Sequence, residues 1–348
     1  MEKNQNIEWL IKTSGPILRY RTKKELHHFA TQKESEDAVQ ELLNCSEVKK
    51  WRKLLQESSH LHGSDSYAFE NSLAKLAAYG IRANMADFSD IIRLIYSKLT
   101  IGQKDSLIVY PHFISIMYTE DIGISAYAQK RLDTLYDYAK KSYNSFSSSD
   151  DATDLLLSKK EKKELHISSH WKDKHVLKPE ITLLLPNCYD FYLFAYMSGH
   201  EKKRNTILKF VNTPKFQRLC ELREFERAYG WDSQKNFCWS TWEMPYFHGY
   251  NGFDTGKFSP NKFMLYLDLT SQYPIAREIE WYKRGIEHLE CFKTKDGHYK
   301  FPSKYLLERA NGYYLYTGAR LRLGEVGKAA LEIESTFRME LMKKRLSV

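Results

Sequence analysis

Cysteine is scarce and shows no pairing pattern. Five occur in 348 residues (Cys45, Cys188, Cys220, Cys238 and Cys291), an odd number, and no two have C-x-x-C spacing. That argues against a disulfide framework and matches the usage of a reduced, intracellular protein. Long apolar runs are missing too: no stretch approaches the ~20 residues that a membrane-spanning helix needs. The opening MEKNQNIEWLIK mixes acidic and basic residues and lacks the apolar centre of a secretory signal. These absences lead to the expectation of a cytoplasmic chain with no transmembrane segment. Period-two alternation is also nearly absent. The best strand candidate, Ser106 to Met117, carries Pro111, which cannot donate to a central ladder. No convincing sheet is therefore expected.

What is present is aromatic and helical. Hydrophobic residues make up 42% of the chain and aromatics 14%, enough for a large core or for an aromatic-lined cavity. The formal charge is +9, which raises nucleic acid, membrane surface or an anionic substrate as partners. The basic runs are short, however (159–163, 202–204 and 343–345), and acidic residues are interspersed along most of the chain. No nucleic-acid-binding motif surrounds them, so solvated faces are expected and nucleic acid is not.

Helical patterns follow one another from end to end. Ser14-Gly15-Pro16 separates two helices near the start, with Pro16 placed where a helix can begin. Ala68 to Tyr79 carries Phe69, Leu73, Leu76 and Ala77 on one face, and Gly80 can close it. Ser125 to Tyr143 and Tyr189 to Met197 are helical, as is Thr213 to Ala228. Lysine-rich Asp154 to Lys178 reads as a surface excursion. Gly230 to Pro260 is long, aromatic and irregular, the kind of loop that is usually functional. Glu278 to Phe292, the turn Asp296-Gly297, and a helix from Lys304 form a helix–turn–helix unit, with further helices over Tyr305 to Leu323 and Gly327 to Lys344. The helical pairs recur about every 45 to 55 residues, a weak repeat whose unequal lengths suit closure into a ring more than an open solenoid.

The turn Asp296-Gly297-His298-Tyr299 between two helices resembles the DG-x-W/Y turns of the prenyltransferase and squalene-cyclase α/α toroids. WLIKTSGPILRYRT, HGSDSYAFENSLAKLAAYGI and KTKDGHYKFPSKYLLE are similar to bacterial proteins described as prenyltransferase-like or terpene-cyclase-like, most without assigned activity. The resemblance implies an all-α fold, a single α/α toroid of paired inner and outer helices over residues 1–348. It implies a terpene cyclase or prenyltransferase-like enzyme with an aromatic cavity. The chain departs from those families in lacking an Asp-x-Asp-Asp acid, and Cys188-Tyr189-Asp190 reverses the order of a zinc-binding Asp-x-Cys. No metal-ligand residues are therefore assigned, and the cofactor is left open.

Candidate residues follow from chemistry. Asp190 either caps its helix or, among apolar walls, donates a proton. Trp239, Trp242, Tyr246, His248, Tyr250 and Asp254 form the densest cluster: the rings can stabilise a cation or stack a sugar, and His248 and Asp254 can exchange protons. Asp268 in FMLYLDL is either bonded or functional, and Tyr305 would line the ring. His60, His62 and Asp65 have a ligand-like spacing, with Glu70 and Asn71 behind them, and Glu120-Asp121 is a second acidic pair. Glu308-Arg309 reads as a surface pair. The expected partner is a small molecule, isoprenoid or saccharide. A saccharide hydrolase or lyase on an (α/α) barrel and a non-catalytic scaffold binding a peptide or lipid are the alternatives.

Overall fold

A computed structural model describes residues 5–60, 63–82, 85, 122–165, 175–182, 184–197, 199–221, 225–232, 235–240 and 259–347. The chain is mostly helical, as its patterning predicts. It divides into two compact units, one built from 1–124 with 259–348 and the other from 125–258. No described helix is long and apolar enough to cross a membrane.

The first unit opens with α1 (Gln5–Thr13) and α2 (Pro16–Arg21), and Pro16 does sit at the start of α2. The chain then widens into a π-helical stretch, Thr22–His27, and leaves it through His28 at φ 94° and ψ 145°. Next come α3 (Gln32–Asn44), α4 (Ser46–Gln56) and α5 (Phe69–Ala78). Every residue of α5 is buried, and Gly80, at φ +87°, turns the chain away as only a residue without Cβ does cheaply.

The second unit carries α6 (Ile122–Ser148), α7 (Lys159–Glu164), α8 (Cys188–Tyr196), α9 (Glu201–Val211) and α10 (Pro214–Glu221), and α6, α9 and α10 share an aromatic cluster. There Phe210 meets Tyr138 and Phe216 edge-on. Within the lysine-rich stretch Leu155, Leu157, Val176 and Leu177 are buried.

Three expectations are corrected here. A small sheet exists: β1 (His175–Leu177) runs parallel to β2 (Phe225–Asp232), which pairs antiparallel with β3 (Lys235–Ser240). The helix expected over Thr213 to Ala228 therefore ends at Glu221, because Phe225 onward finds ladder partners on two sides. The early part of Gly230 to Pro260 is strand rather than irregular loop.

The first unit resumes with α11 (Pro260–Thr270), α12 (Glu280–Glu290) and α13 (Ala330–Ser347). The helix expected over Tyr305 to Leu323 is not there. Only single turns form, Ser303–Tyr305 and Tyr314–Thr317. Gly312 at φ +153° and Gly318 at φ +62° break the pattern, and a Cβ on Gly312 would lie 2.4 Å from that of Ala319. From Ile333 to Met342 α13 is buried on all sides. It receives α1 alongside: the Trp9 ring stacks on His298 at 3.8 Å, and Asn6 Nδ2 donates to Glu340 Oε1 at 2.7 Å and to the carbonyl of Gly297 at 3.2 Å.

Candidate functional site

The candidate acids of the described regions are engaged by arginines. Asp190 is the third residue of α8, and its carboxylate accepts from the backbone N–H of Asn187 while the Asn187 side chain accepts from the N–H of Asp190. This reciprocal cap satisfies two orphan donors at the helix start. Both oxygens of Asp190 also accept from Arg131 of α6, each at 2.8 Å, and the carboxylate is fully buried. Asp268 on α11 accepts from Arg338 at 2.9 Å and from Arg345 at 3.2 Å, both on α13.

The aromatic and histidine candidates divide the same way. Tyr305 is buried in a ring cluster with Phe263, Phe292 and His288, its hydroxyl 2.6 Å from His288 Nε2. Trp239 lies on β3 opposite Arg227. His60 Nε2 meets Asp65 Oδ2 at 2.9 Å and its Nδ1 meets Ser59 Oγ at 2.8 Å, so both ring nitrogens are engaged. Glu70 accepts from the N–H of Gly63, and Asn71 donates to the carbonyls of Gly63 and Asp65, so these two knit the loop. Trp242, Tyr246, His248, Tyr250, Asp254, His62 and Glu120-Asp121 lie outside the described residues. Among those described, no group of three or more His, Cys, Asp or Glu side chains could hold a metal ion.

A different polar centre emerges in the first unit, around α5. Lys75 is 1% exposed, yet all three of its N–H bonds have acceptors: Glu308 Oε2 at 2.8 Å, the carbonyl of Arg322 at 2.5 Å and that of Arg320 at 3.2 Å. Its ammonium also faces the rings of Trp51 and Tyr79. Burial lowers the Lys75 pKa and the Glu308 carboxylate opposes that shift. The expected Glu308-Arg309 surface pair is thus corrected: Glu308 turns to Lys75, because a buried ammonium needs a counter-charge.

Arg320, equally buried, donates to the carbonyls of Gly312, Ser64 and Ala310 and to Ser66 Oγ. On α13, Glu334 accepts from Arg322 Nε at 2.8 Å and from the backbone N–H groups of Leu323 and Glu325. Burial raises the Glu334 pKa against the pull of Arg322. Sequence reading passed over Lys75, Arg320 and Glu334. The available signal was charge inside an otherwise apolar helix: Lys75 in SLAKLAA, and Glu334 with Arg338 in LEIESTFRM.

An amine with three filled donors holds backbone in place; it offers no lone pair to a substrate. One cavity of about 310 Å³ opens beside α2 and α3, walled by Tyr20, Lys33 and Asp37 and by the Arg19–Glu41 and Lys23–Glu34 ion pairs, each at 2.7 Å. No protein-family model, curated protein or solved structure matches the chain.

Proposed function

We propose that the chain is a helical binding scaffold on an α/α-toroid frame, taking a peptide or lipid, and not an acid-dependent cyclase. The observation that carries this reading is the commitment of Asp190 and Asp268 to arginines. A proton donor to an apolar substrate needs a carboxyl kept neutral by apolar surroundings. Both carboxyl groups here have oxygens occupied in accepting from guanidinium N–H groups. The ring frame draws support from α1 lying against α13, which brings the first and last described helices together. Of the candidate acid–base groups, His248, Asp254 and the Glu120-Asp121 pair are left to an enzyme reading.

The test is incubation of the full chain with farnesyl diphosphate and with a set of oligosaccharides, reading product by mass spectrometry. No turnover is expected. Asp190→Asn should instead lower stability by about 3 kcal/mol, the scale for breaking a buried ion pair. Turnover that Asp190→Asn or Asp268→Asn abolishes, with helical circular dichroism unchanged, would overturn the proposal.

A further inference from the structure

Three buried polar side chains of the first unit are directed at one short stretch, the loop between α4 and α5. Glu70 accepts from the N–H of Gly63 at 3.1 Å, and Asn71 donates to the carbonyls of Gly63 and Asp65, each at 2.9 Å. Arg320 donates to the carbonyl of Ser64 at 3.0 Å and to Ser66 Oγ at 3.2 Å. Glu70 is 3% exposed, Asn71 0% and Arg320 1%. Burying such groups carries a desolvation cost that apolar side chains would avoid. What they secure is the placement of the loop backbone. That loop holds Ser59, His60 and Asp65 in a hydrogen-bonded line: Ser59 Oγ lies 2.8 Å from His60 Nδ1, and His60 Nε2 lies 2.9 Å from Asp65 Oδ2. Gly63 confines the ring from the side. A Cβ there would stand 2.5 Å from His60 Nε2, so a larger residue would displace the imidazole. The carbonyl of His60 accepts from the N–H of Phe69 at 3.0 Å, which ties the two ends of the loop together.

A hydroxyl, an imidazole and a carboxylate in that order are a nucleophile, its base and the group that orients the base. With Asp65 accepting from Nε2–H, the lone pair of Nδ1 faces the Ser59 hydroxyl, the arrangement that lets the ring take its proton. A substrate can reach all three: Ser59 is exposed, and the side chains of His60 and Asp65 are 39% and 45% exposed. We propose that Ser59 is a nucleophile that cleaves small carboxylic esters, with His60 as its base and Asp65 as a positioning residue. This chemistry is independent of the ligand that the scaffold takes. In the first step Ser59 Oγ bonds the ester carbonyl carbon while its proton passes to His60 Nδ1. The tetrahedral adduct then breaks its bond to the alcohol oxygen, which leaves with that proton. Water repeats the sequence on the acyl-serine: its proton goes to Nδ1, its oxygen bonds the carbonyl carbon, and Ser59 Oγ departs with the proton as the acid is released. Water is the only co-reactant. His60 and Ala68 form a parallel bridge, so Tyr67, which is 50% exposed, sits at the backbone position next to Ser59. Its ring offers a flat surface to a short acyl group.

The experiment incubates the full chain with a fluorophosphonate and maps the adducts by peptide mass spectrometry, alongside hydrolysis of p-nitrophenyl acetate. Ser59 should acquire the phosphonate about a hundredfold faster than any other serine or tyrosine, the scale of general-base assistance. Ser59→Ala should remove that adduct and most of the ester hydrolysis. His60→Ala should slow both by about a hundredfold, and added imidazole should restore part of the loss, which a merely structural histidine would not allow. If His60→Ala fails to fold, His60→Gln, which keeps a donor for Asp65 and cannot take the proton, gives the same reading. Asp65→Asn should lower the rate at saturating ester by about tenfold or more and leave the half-saturating concentration unchanged. No adduct on Ser59, an adduct that forms at the wild-type rate in the His60 variants, or ester hydrolysis that Ser59→Ala leaves intact would overturn the proposal.

Discussion

Replacing Glu25 with glutamine should cost stability in a way that pH reveals. Glu25 sits in the π-helical stretch with its side chain 24% exposed. Burial would raise its pKa, but Arg21 overrides that: its Nε lies 2.5 Å from one oxygen and a terminal nitrogen 3.1 Å from the other. Arg345 at 3.4 Å and Arg82 add to the pull, and the carboxyl falls from 4.5 to about 2. At 1.36 kcal/mol per pKa unit that shift corresponds to about 3 kcal/mol, a ceiling that solvent at a partly exposed pair reduces to ~2. The folded state binds fewer protons than the unfolded one between the two values. The stabilisation is therefore full above about pH 4.5 and is lost as pH falls toward about 2. Urea is the denaturant of choice, because guanidinium would screen the pair. The wild-type advantage over Glu25→Gln should be equal at pH 7 and 5.5, about half as large near pH 3, and close to nothing at pH 2. An advantage that is flat across that range, or below ~0.5 kcal/mol at pH 7, would refute the claim that Arg21 and Arg345 act through the charge of Glu25.

Two further outcomes follow from local strain and burial. His28, at φ 94° and ψ 145°, occupies backbone space that favours glycine, so His28→Gly should stabilise by about 1 kcal/mol and raise Tm by ~2–4 °C. An unchanged or lower Tm would show that the His28 side chain supplies what the backbone loses. The Glu325 carboxylate accepts from Gly15 N–H at 2.8 Å, and burial raises its pKa. A raised acid pKa means that stability is lost as pH climbs from the unfolded value through the folded one. Glu325→Gln keeps the acceptor and removes that loss, so its Tm should exceed the wild type's by more at pH 7 than at pH 4, and a constant difference would count against the assignment.

The sequence announced those parts of the fold that local chemistry decides. Pro16 marked the start of α2, and the apolar face of Phe69, Leu73 and Leu76 followed by Gly80 marked α5. Asp190 was legible as a cap because a helix start attracts an acid whatever lies beyond it. The misreadings involve distant partners. Phe225 to Ala228 is as helical as it is extended until β1 and β3 flank it. Leu306 to Leu323 has helical spacing, but Gly312 and Gly318 adopt backbone angles that interrupt it, and its polar groups find acceptors and donors around α5. The acceptors of Lys75 lie 233 to 247 positions away, and no window of periodicity spans that distance. Of the candidate residues, Asp190, Asp268 and Tyr305 stood out from their local sequence; that Arg131, Arg338 and His288 engage them depends on tertiary packing.

The first unit is assembled from two stretches of chain that the second unit's sequence separates. During synthesis, α5 leaves the ribosome well before the carbonyls of Arg320 and Arg322 exist to receive its ammonium. At a translation speed of 5–20 residues per second that interval is about 10–50 s. Throughout it, Trp51, Tyr79 and the apolar faces of α1 and α5 have no permanent cover. The opening third of this protein is thus obliged to wait, unfinished, for its own tail.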